Sequence, residues 1–368
     1  MKPPQSFEGY HRTWHVLGPY KYAEPHDGAL WFDRRCFRSE NELLAELAAL
    51  GTGRVPAVGE LAPGMTVQSF VPGESLYRRR PRGTPVPYLY RRQIMSRFRH
   101  LASLRPSDVA SERSCEAEAR PADGDTTGFL RALLSYAHRE TYLARLPEYG
   151  TLFERLGITG AAVDRRSWLH REAGRLTPRP FCLLHGDLHR ENLIVDRWRR
   201  LWTIDWELAM VGDPLYDLAT HLYLMDYPDR QRKPVITAWR KAVTAELPGA
   251  DAGLSEDLPR YLDYKRVQSV YTDVVRQSHR RLTPHTATVV LGVLRRAADL
   301  LGVDESDLPT RRQITAAYAE HARSRAAART AAETAATGTA VTGTAATTAE
   351  QPAVVGGPSS AGAPGYVR

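Results

Sequence analysis

Lysine is scarce in this chain, with five residues in 368, yet the formal net charge is +8 because arginine carries the positive side. Cysteine is nearly absent too. Cys36, Cys115 and Cys182 make an odd number without paired spacing, which excludes a disulfide scaffold and predicts reduced thiols in a cytosolic setting. No CxxC or HExxH occurs, so the zinc motifs are excluded, and neither GxGxxG nor GxxxxGK[ST] is present to cradle phosphates. No run reaches the ~18 apolar residues of a membrane span, and MKPPQSFEGYHRTWH lacks an apolar signal-peptide core. Membrane insertion and secretion are both disfavoured. What is present is ordinary for a soluble enzyme, 42% hydrophobic and 25% charged residues, in a chain long enough for two lobes with separate cores.

The densest signal runs from Phe181 to Ala219, FCLLHGDLHRENLIVDRWRRLWTIDWELAMVGDPLYDLA. Phe181 to Leu184 reads as a short buried strand, and HGDLHREN then breaks the pattern as a loop at a strand end does. Leu193-Ile194-Val195 and Leu201-Trp202-Thr203-Ile204, separated by a polar turn, read as a hairpin. Asn192 opens one of its strands and Asp205 closes the other, so the pairing brings both beside the loop carrying Asp187. Phosphoryl transfer needs a group that accepts or orients the attacking hydroxyl, together with hard oxygen ligands for Mg²⁺. One carboxylate with an amide and a second carboxylate meets that need. His185 and His189 are four apart, but Gly186 and the preceding strand argue against the helix that would make them a zinc pair.

HGDLHxxNL followed by a strand, IDWE and GDPxxDLA resembles the aminoglycoside phosphotransferase and choline kinase family, relatives of protein kinases. The resemblance implies an α+β, two-lobed kinase-like fold with a small strand-rich N-lobe and a larger, mainly helical C-lobe. It makes Asp187 the catalytic base and Asn192 and Asp205 the Mg²⁺ ligands. His185 and Gly186 become scaffold of the catalytic loop and Asp217 the acid that holds the loop's backbone by hydrogen bonds; His189, once zinc is set aside, reads as a further scaffold residue of the loop, and Asp213 is expected to be structural. ATP, or GTP, would be the donor and a hydroxylated small molecule the acceptor.

Before Pro72 the pattern is short and strand-rich, and after it helices dominate. This suggests a nucleotide-binding lobe over 1–71, a catalytic and acceptor lobe over 72–325, and a tail over 326–368. Ser39 followed by Glu42 and the apolar set Leu43, Leu44, Leu47 and Leu50 reads as a capped helix start. Glu40 matches the position from which the family's lobe helix reaches an ATP-binding lysine. Lys21, in the strand-like Pro19 to Ala23, is the candidate for that lysine, with Arg34 or Arg35 as the competing cations. Val67 to Glu74 looks like the segment whose backbone binds adenine, placing Gln68 and Phe70 at the nucleotide; it is also a plain edge strand ending in a Pro-Gly turn.

Residues 226–281 hold eight acids against eleven Lys and Arg, which does not favour a polycationic acceptor unless Asp257, Asp263 and Asp273 cluster. Tyr223, Tyr227, Trp239, Tyr261, Tyr264 and Tyr271 offer faces that could stack on an acceptor or, as helical spacing favours, fill the interior. Antibiotics, choline, homoserine and sugars all remain as acceptors. A protein acceptor is disfavoured by HGD in place of HRD and by the absence of room for an activation segment. A non-catalytic binder is the third reading, motivated by the missing glycine loop. The arginines of 78–99 read as a turn and the wet face of a helix, Arg91, Arg92, Arg97 and Arg99 included, so nucleic acid is not expected as a partner. Residues 105–128 read as a mobile loop. From Ala326 onward Leu, Ile, Phe, Met and Trp vanish, and a disordered tail is expected.

Overall fold

The computed structural model describes residues 5–8, 11–26, 31–115 and 120–342. Five short strands come first: β1 (Gln5–Glu8), β2 (Arg12–Leu17), β3 (Tyr20–Pro25), β4 (Val58–Ala62) and β5 (Met65–Ser69). They form an antiparallel sheet in the order β1-β2-β3-β5-β4. The register pairs Arg12 with Pro25, Trp14 with Ala23 and Val16 with Lys21, and Lys21 in turn with Gln68. Paired residues share a face, so Arg12, Trp14, Lys21 and Gln68 look the same way. Between β3 and β4 runs α1 (Glu40–Ala49), whose first turn is capped by Ser39 Oγ accepting from Glu42 N at 3.2 Å. Its Leu43, Leu44 and Leu47 are fully buried.

Helices dominate thereafter: α2 (Leu76–Arg79), α3 (Tyr88–Ser103), α4 (Thr126–Tyr136), α5 (Leu146–Arg155), α6 (Trp168–Ala173), α7 (Pro214–Met225), α8 (Asp229–Thr244), α9 (Leu254–Ser278), α10 (Pro284–Leu301) and α11 (Arg311–Thr342). Two small sheets sit among them. β6 (Glu74–Ser75) pairs with β8 (Leu193–Val195), which pairs with β9 (Leu201–Thr203), while β7 (Cys182–Leu184) pairs with β10 (Met210–Gly212). The architecture is the strand-rich N-terminal lobe and larger helical C-terminal lobe that the motifs imply. Trp239, Tyr261, Tyr264 and Tyr271 are buried in the helical core, so interior filling is their use.

Three expectations change. Arg97 is buried rather than wet, and its guanidinium donates to Gly53 O at 2.6 Å, because α3 turns that side toward the chain entering β4. The described parts of the 105–128 stretch are pinned instead of mobile, while 116–119 lie outside the described residues: Phe37 bridges Arg113, Ser114 N donates to Cys36 O at 2.8 Å, Ser111 N to Glu46 at 2.9 Å, and Phe181 N to Asp123 at 2.6 Å. These polar anchors leave no hydrophobic period to read. A second unit begins at Ala322 and carries α11 on to Thr342, past the expected start of disorder at Ala326. Alanine, the strongest helix former, supplies the reason; residues 343–368 lie outside the described residues.

Candidate active site

The apolar strand β7 delivers the chain to His185, a fully buried imidazole. Burial lowers its pKa to about 4, so it is neutral. Nε2–H donates to Ile204 O at 3.2 Å and Nδ1 accepts from Asp187 N at 3.3 Å, which fixes the tautomer and ties the loop to the β9 end. Gly186 has φ +77°, and a Cβ there would collide with Leu208 O. Asp217, in the first turn of α7, accepts from His185 N at 3.1 Å and Gly186 N at 2.9 Å. Burial pushes its carboxyl up to about 6, against the pull of those two N–H groups. Asp213 caps α7 through Leu215 N at 2.9 Å and accepts from Tyr261 Oη at 2.7 Å. It also pairs with Arg179, which bonds Asp257; the three side chains are fully buried.

Asp187 therefore stands on a loop clamped from behind. Its Oδ2 accepts from Asn192 Nδ2 at 2.9 Å and faces His189 Nε2 at 3.2 Å. Burial opposes ionisation of Asp187, but the charge of and hydrogen bond from His189 outweigh it and leave the carboxyl below the usual range; His189 is raised in turn. Asn192 Nδ2 also donates to Asp187 O at 3.0 Å, so its carbonyl oxygen is left as a donor for a cation. Ile204 N donates to Asn192 O at 3.0 Å, which sets Asp205 beside it. Asp205 adopts φ +65°. Burial, then the nearby Glu207, Glu40 and Asp187, push its carboxyl well above the usual range. A bound cation would relieve that excess of negative charge. Among the described residues no group of three or more His, Cys, Asp or Glu side chains is disposed to hold a metal ion. Mg²⁺ carried with nucleotide phosphates needs only one or two protein ligands, so an amide oxygen and a carboxylate fit it.

On the small lobe a cavity of about 200 Å³ is lined by Arg12, Trp14, Lys21, Glu40, Asn41 and Gln68, with Trp31 and Arg35 also at its wall. Lys21 and Glu40 thus share a cavity, yet they are not the ion pair the sequence suggests. Glu40 Oε2 accepts from Arg12 Nη1 at 2.8 Å, and its Oε1 accepts from Trp206 N at 2.8 Å. Lys21 Nζ lies 3.6 Å from the centroid of the Trp14 ring, and burial, partly offset by Glu40 and Asp205, lowers its pKa. Arg35 stacks on Trp31 at 4.3 Å. Gln68 is buried with its amide on Asn41 Oδ1 at 2.8 Å, so its side chain braces α1. Phe70 lies outside the cavity lining; it stacks on Phe7 at 6.4 Å and its amide donates to Pro19 O at 2.7 Å. That amide is spent on the sheet.

Several residues at the site carry no sequence signal as isolated letters. Glu207, two positions after Asp205, accepts from Arg12 and faces His11 Nδ1 at 3.1 Å. Alternation along RTWHV, had it been matched to the strand bearing Lys21, would have put Arg12 on the same face. Phe32 and Asp33 pack onto α9, where buried Lys265 bonds Gln268 at 2.6 Å and lies 3.8 Å from Asp33. The candidate acceptor acids are committed elsewhere: Asp257 to Arg179 and Arg260, Asp263 to Arg266 at 2.8 Å, and Asp273 to Arg276 at 3.6 Å.

A sequence model described as the phosphotransferase enzyme family matches residues 5–252. No curated protein matches the chain. Among solved structures, an amicoumacin kinase in complex with AMP-PNP, Ca²⁺ and Ami is similar with a TM-score of 0.50 and 12% identity, over 82% of this chain and 91% of that one. A choline/ethanolamine kinase family protein from Mesorhizobium loti gives 0.45 and 16%, over 86% and 92%. Choline kinase LicA from Streptococcus pneumoniae gives 0.45 and 14%, over 80% and 93%. At 12% identity the likeness to the amicoumacin kinase is one of fold alone.

Proposed function

The chain belongs to the phosphotransferase enzyme family, and we propose that it moves the γ-phosphoryl group of ATP to a hydroxyl of a small molecule, with Asp187 as the group that receives the hydroxyl proton. The observation that carries the reading is the state of Asp187. Its carboxylate is fixed through Oδ2 by Asn192 and by His189, which holds it below the usual carboxylate range, and has Oδ1 left for an acceptor hydroxyl. As the acceptor oxygen bonds the γ-phosphorus and the bond to the β-phosphate oxygen breaks, the proton passes to Asp187 and ADP departs. Asn192 and Asp205 would hold Mg²⁺, which when bound neutralises charge on the transferred and leaving phosphates. Asp217 and His185 keep the loop in place without touching substrate.

The acceptor class we favour is a hydroxylated antibiotic or metabolite such as an amino-alcohol or sugar. An aminoglycoside, if it is the acceptor, is not read by Asp257, Asp263 and Asp273, because their carboxylates already face arginines. Acceptor-dependent ADP release should be followed with a panel of aminoglycosides, other hydroxylated antibiotics, choline, homoserine and sugars, with the phosphorylated product weighed by mass spectrometry. Asp187→Asn is expected to keep nucleotide binding and lower turnover by a factor on the order of 10² to 10⁴. Undiminished turnover in that variant would sink the assignment.

A further inference from the structure

The sheet presents two cations to the cavity beside the proposed metal acid, and they are held very differently. Arg12 lines the cavity; its Nη1 bonds Glu40 on α1, and Nη2 bonds Glu207 in the turn after Asp205, so one guanidinium joins the helix to that turn. Glu207 is itself oriented by His11 Nδ1 at 3.1 Å, and His11 stacks on Trp31 with ring centroids 3.9 Å apart. Lys21 has no such brace. Its ammonium rests on the Trp14 face at 3.6 Å, and both oxygens of Glu40 are taken, one by Arg12 and the other by the Trp206 amide.

We infer that Arg12, on the second strand, is the residue that contacts the phosphates of the bound nucleotide, positioned for it by Glu40 and Glu207, and that Lys21 is a secondary group. The inference rests on the phosphoryl-transfer reading above and assigns within it a residue that neither the motifs nor the spacing indicate. Three physical points carry it. A guanidinium has more N–H donors than the two already spent, and its planar fork suits bidentate bonding to phosphate oxygens. Two carboxylates at fixed positions hold it without rotamer search, so little entropy is lost when phosphate arrives. Glu207 follows Asp205 by two residues, so the same guanidinium that would meet the phosphates is tied to the turn bearing the proposed metal acid. Trp14, lying between the two cations with Arg12 Cζ at 5.1 Å and Lys21 Nζ at 3.6 Å from its ring, keeps the ammonium on the sheet face.

The test is calorimetry with ATP, ADP and adenosine, in the presence of Mg²⁺, on the full chain and on Arg12→Ala, Arg12→Lys and Lys21→Met. A phosphate contact predicts that Arg12→Ala weakens ATP and ADP by about ten- to a hundredfold and adenosine by less than about threefold, since a charged hydrogen bond is lost only where phosphate is present. Arg12→Lys should recover part of the loss, and Lys21→Met should cost ATP less than Arg12→Ala does. If Arg12→Ala fails to fold, Arg12→Lys still decides, because it keeps a cation between the two acids and should lose affinity for ATP but not for adenosine. Equal weakening of adenosine and ATP, or a larger loss in Lys21→Met, would overturn the assignment while leaving the phosphotransferase reading intact. Absence of ATP and ADP binding to the unmodified protein would overturn both.

Discussion

The loop that bears Asp187 and the small sheet differ in where their partners come from. Around Asp187 itself the bonds join near neighbours, Asn192 five residues away and His189 two, and only the support behind the loop reaches farther, from Asp217 to the backbone of His185 and Gly186 31 to 32 positions earlier. On the small lobe Glu40 joins a strand residue 28 positions earlier and an amide 166 positions later. A short motif can encode the first geometry because the loop folds on itself. The second depends on which strand face meets which helix, and a one-residue change of register would exchange its cations.

The first half of that comparison would break if the buried support behind the loop proved dispensable. Arg179→Ala leaves Asp213 as a buried carboxylate without its cation and Asp257 with Arg260 alone, and about 3–5 kcal/mol of stability should go, read by urea unfolding. A loss below about 1 kcal/mol would mean that α7 and the loop are held by packing alone. Asp217→Ala comes next. It strands the amides of His185 and Gly186 in a buried site, at about 1–3 kcal/mol for each orphaned donor. Turnover should fall with it while nucleotide affinity holds, because Asp187 loses its placement and the small lobe is untouched; a stability loss with unchanged turnover would show that the loop keeps its shape unaided.

Legibility followed the same division. The hairpin of β8 and β9, the loop between β7 and β8, and the helix start at Ser39 were readable because each is local and announced by alternation, by Gly186 or by a capping side chain. The two-lobed architecture followed from the switch between strand-rich and helix-rich patterning. Arg12 was not readable as Glu40's partner, since Lys21, Arg34 and Arg35 are chemically equal candidates until the β2–β3 register is known. Arg97 misled for a related reason: an arginine on a helix reads as wet unless one sees the Gly53 carbonyl it serves. The anchors of the stretch after Arg105 are side-chain acceptors on distant elements, Glu46 among them, and a polar loop gives no hint of which acids reach it.

The smallest effect sharpens the comparison at its most local point, the turn joining β8 to β9. Asp196 Oδ1 accepts from Trp198 N at 2.9 Å and Arg200 N at 2.8 Å, and Oδ2 accepts from Arg200 Nε at 2.8 Å and Trp202 Nε1 at 3.2 Å. Burial alone would raise this carboxyl, but the bonds to Arg200, Trp202 and Trp198 together lower it to about 2. A depressed folded-state pKa means that the stabilisation is fully present above the ordinary carboxylate range and is lost as pH falls through about 2. With Arg200 half exposed, on the order of 1 kcal/mol is expected from it at neutral pH. Asp196→Asn should therefore be less stable than the unmodified chain by about that amount at pH 7, and the gap should narrow as the pH is taken down toward 2. A gap that stays constant across that range would show that the turn is held by shape alone, and the local half of the molecule would then owe less to its charged side chains than the long-range half does.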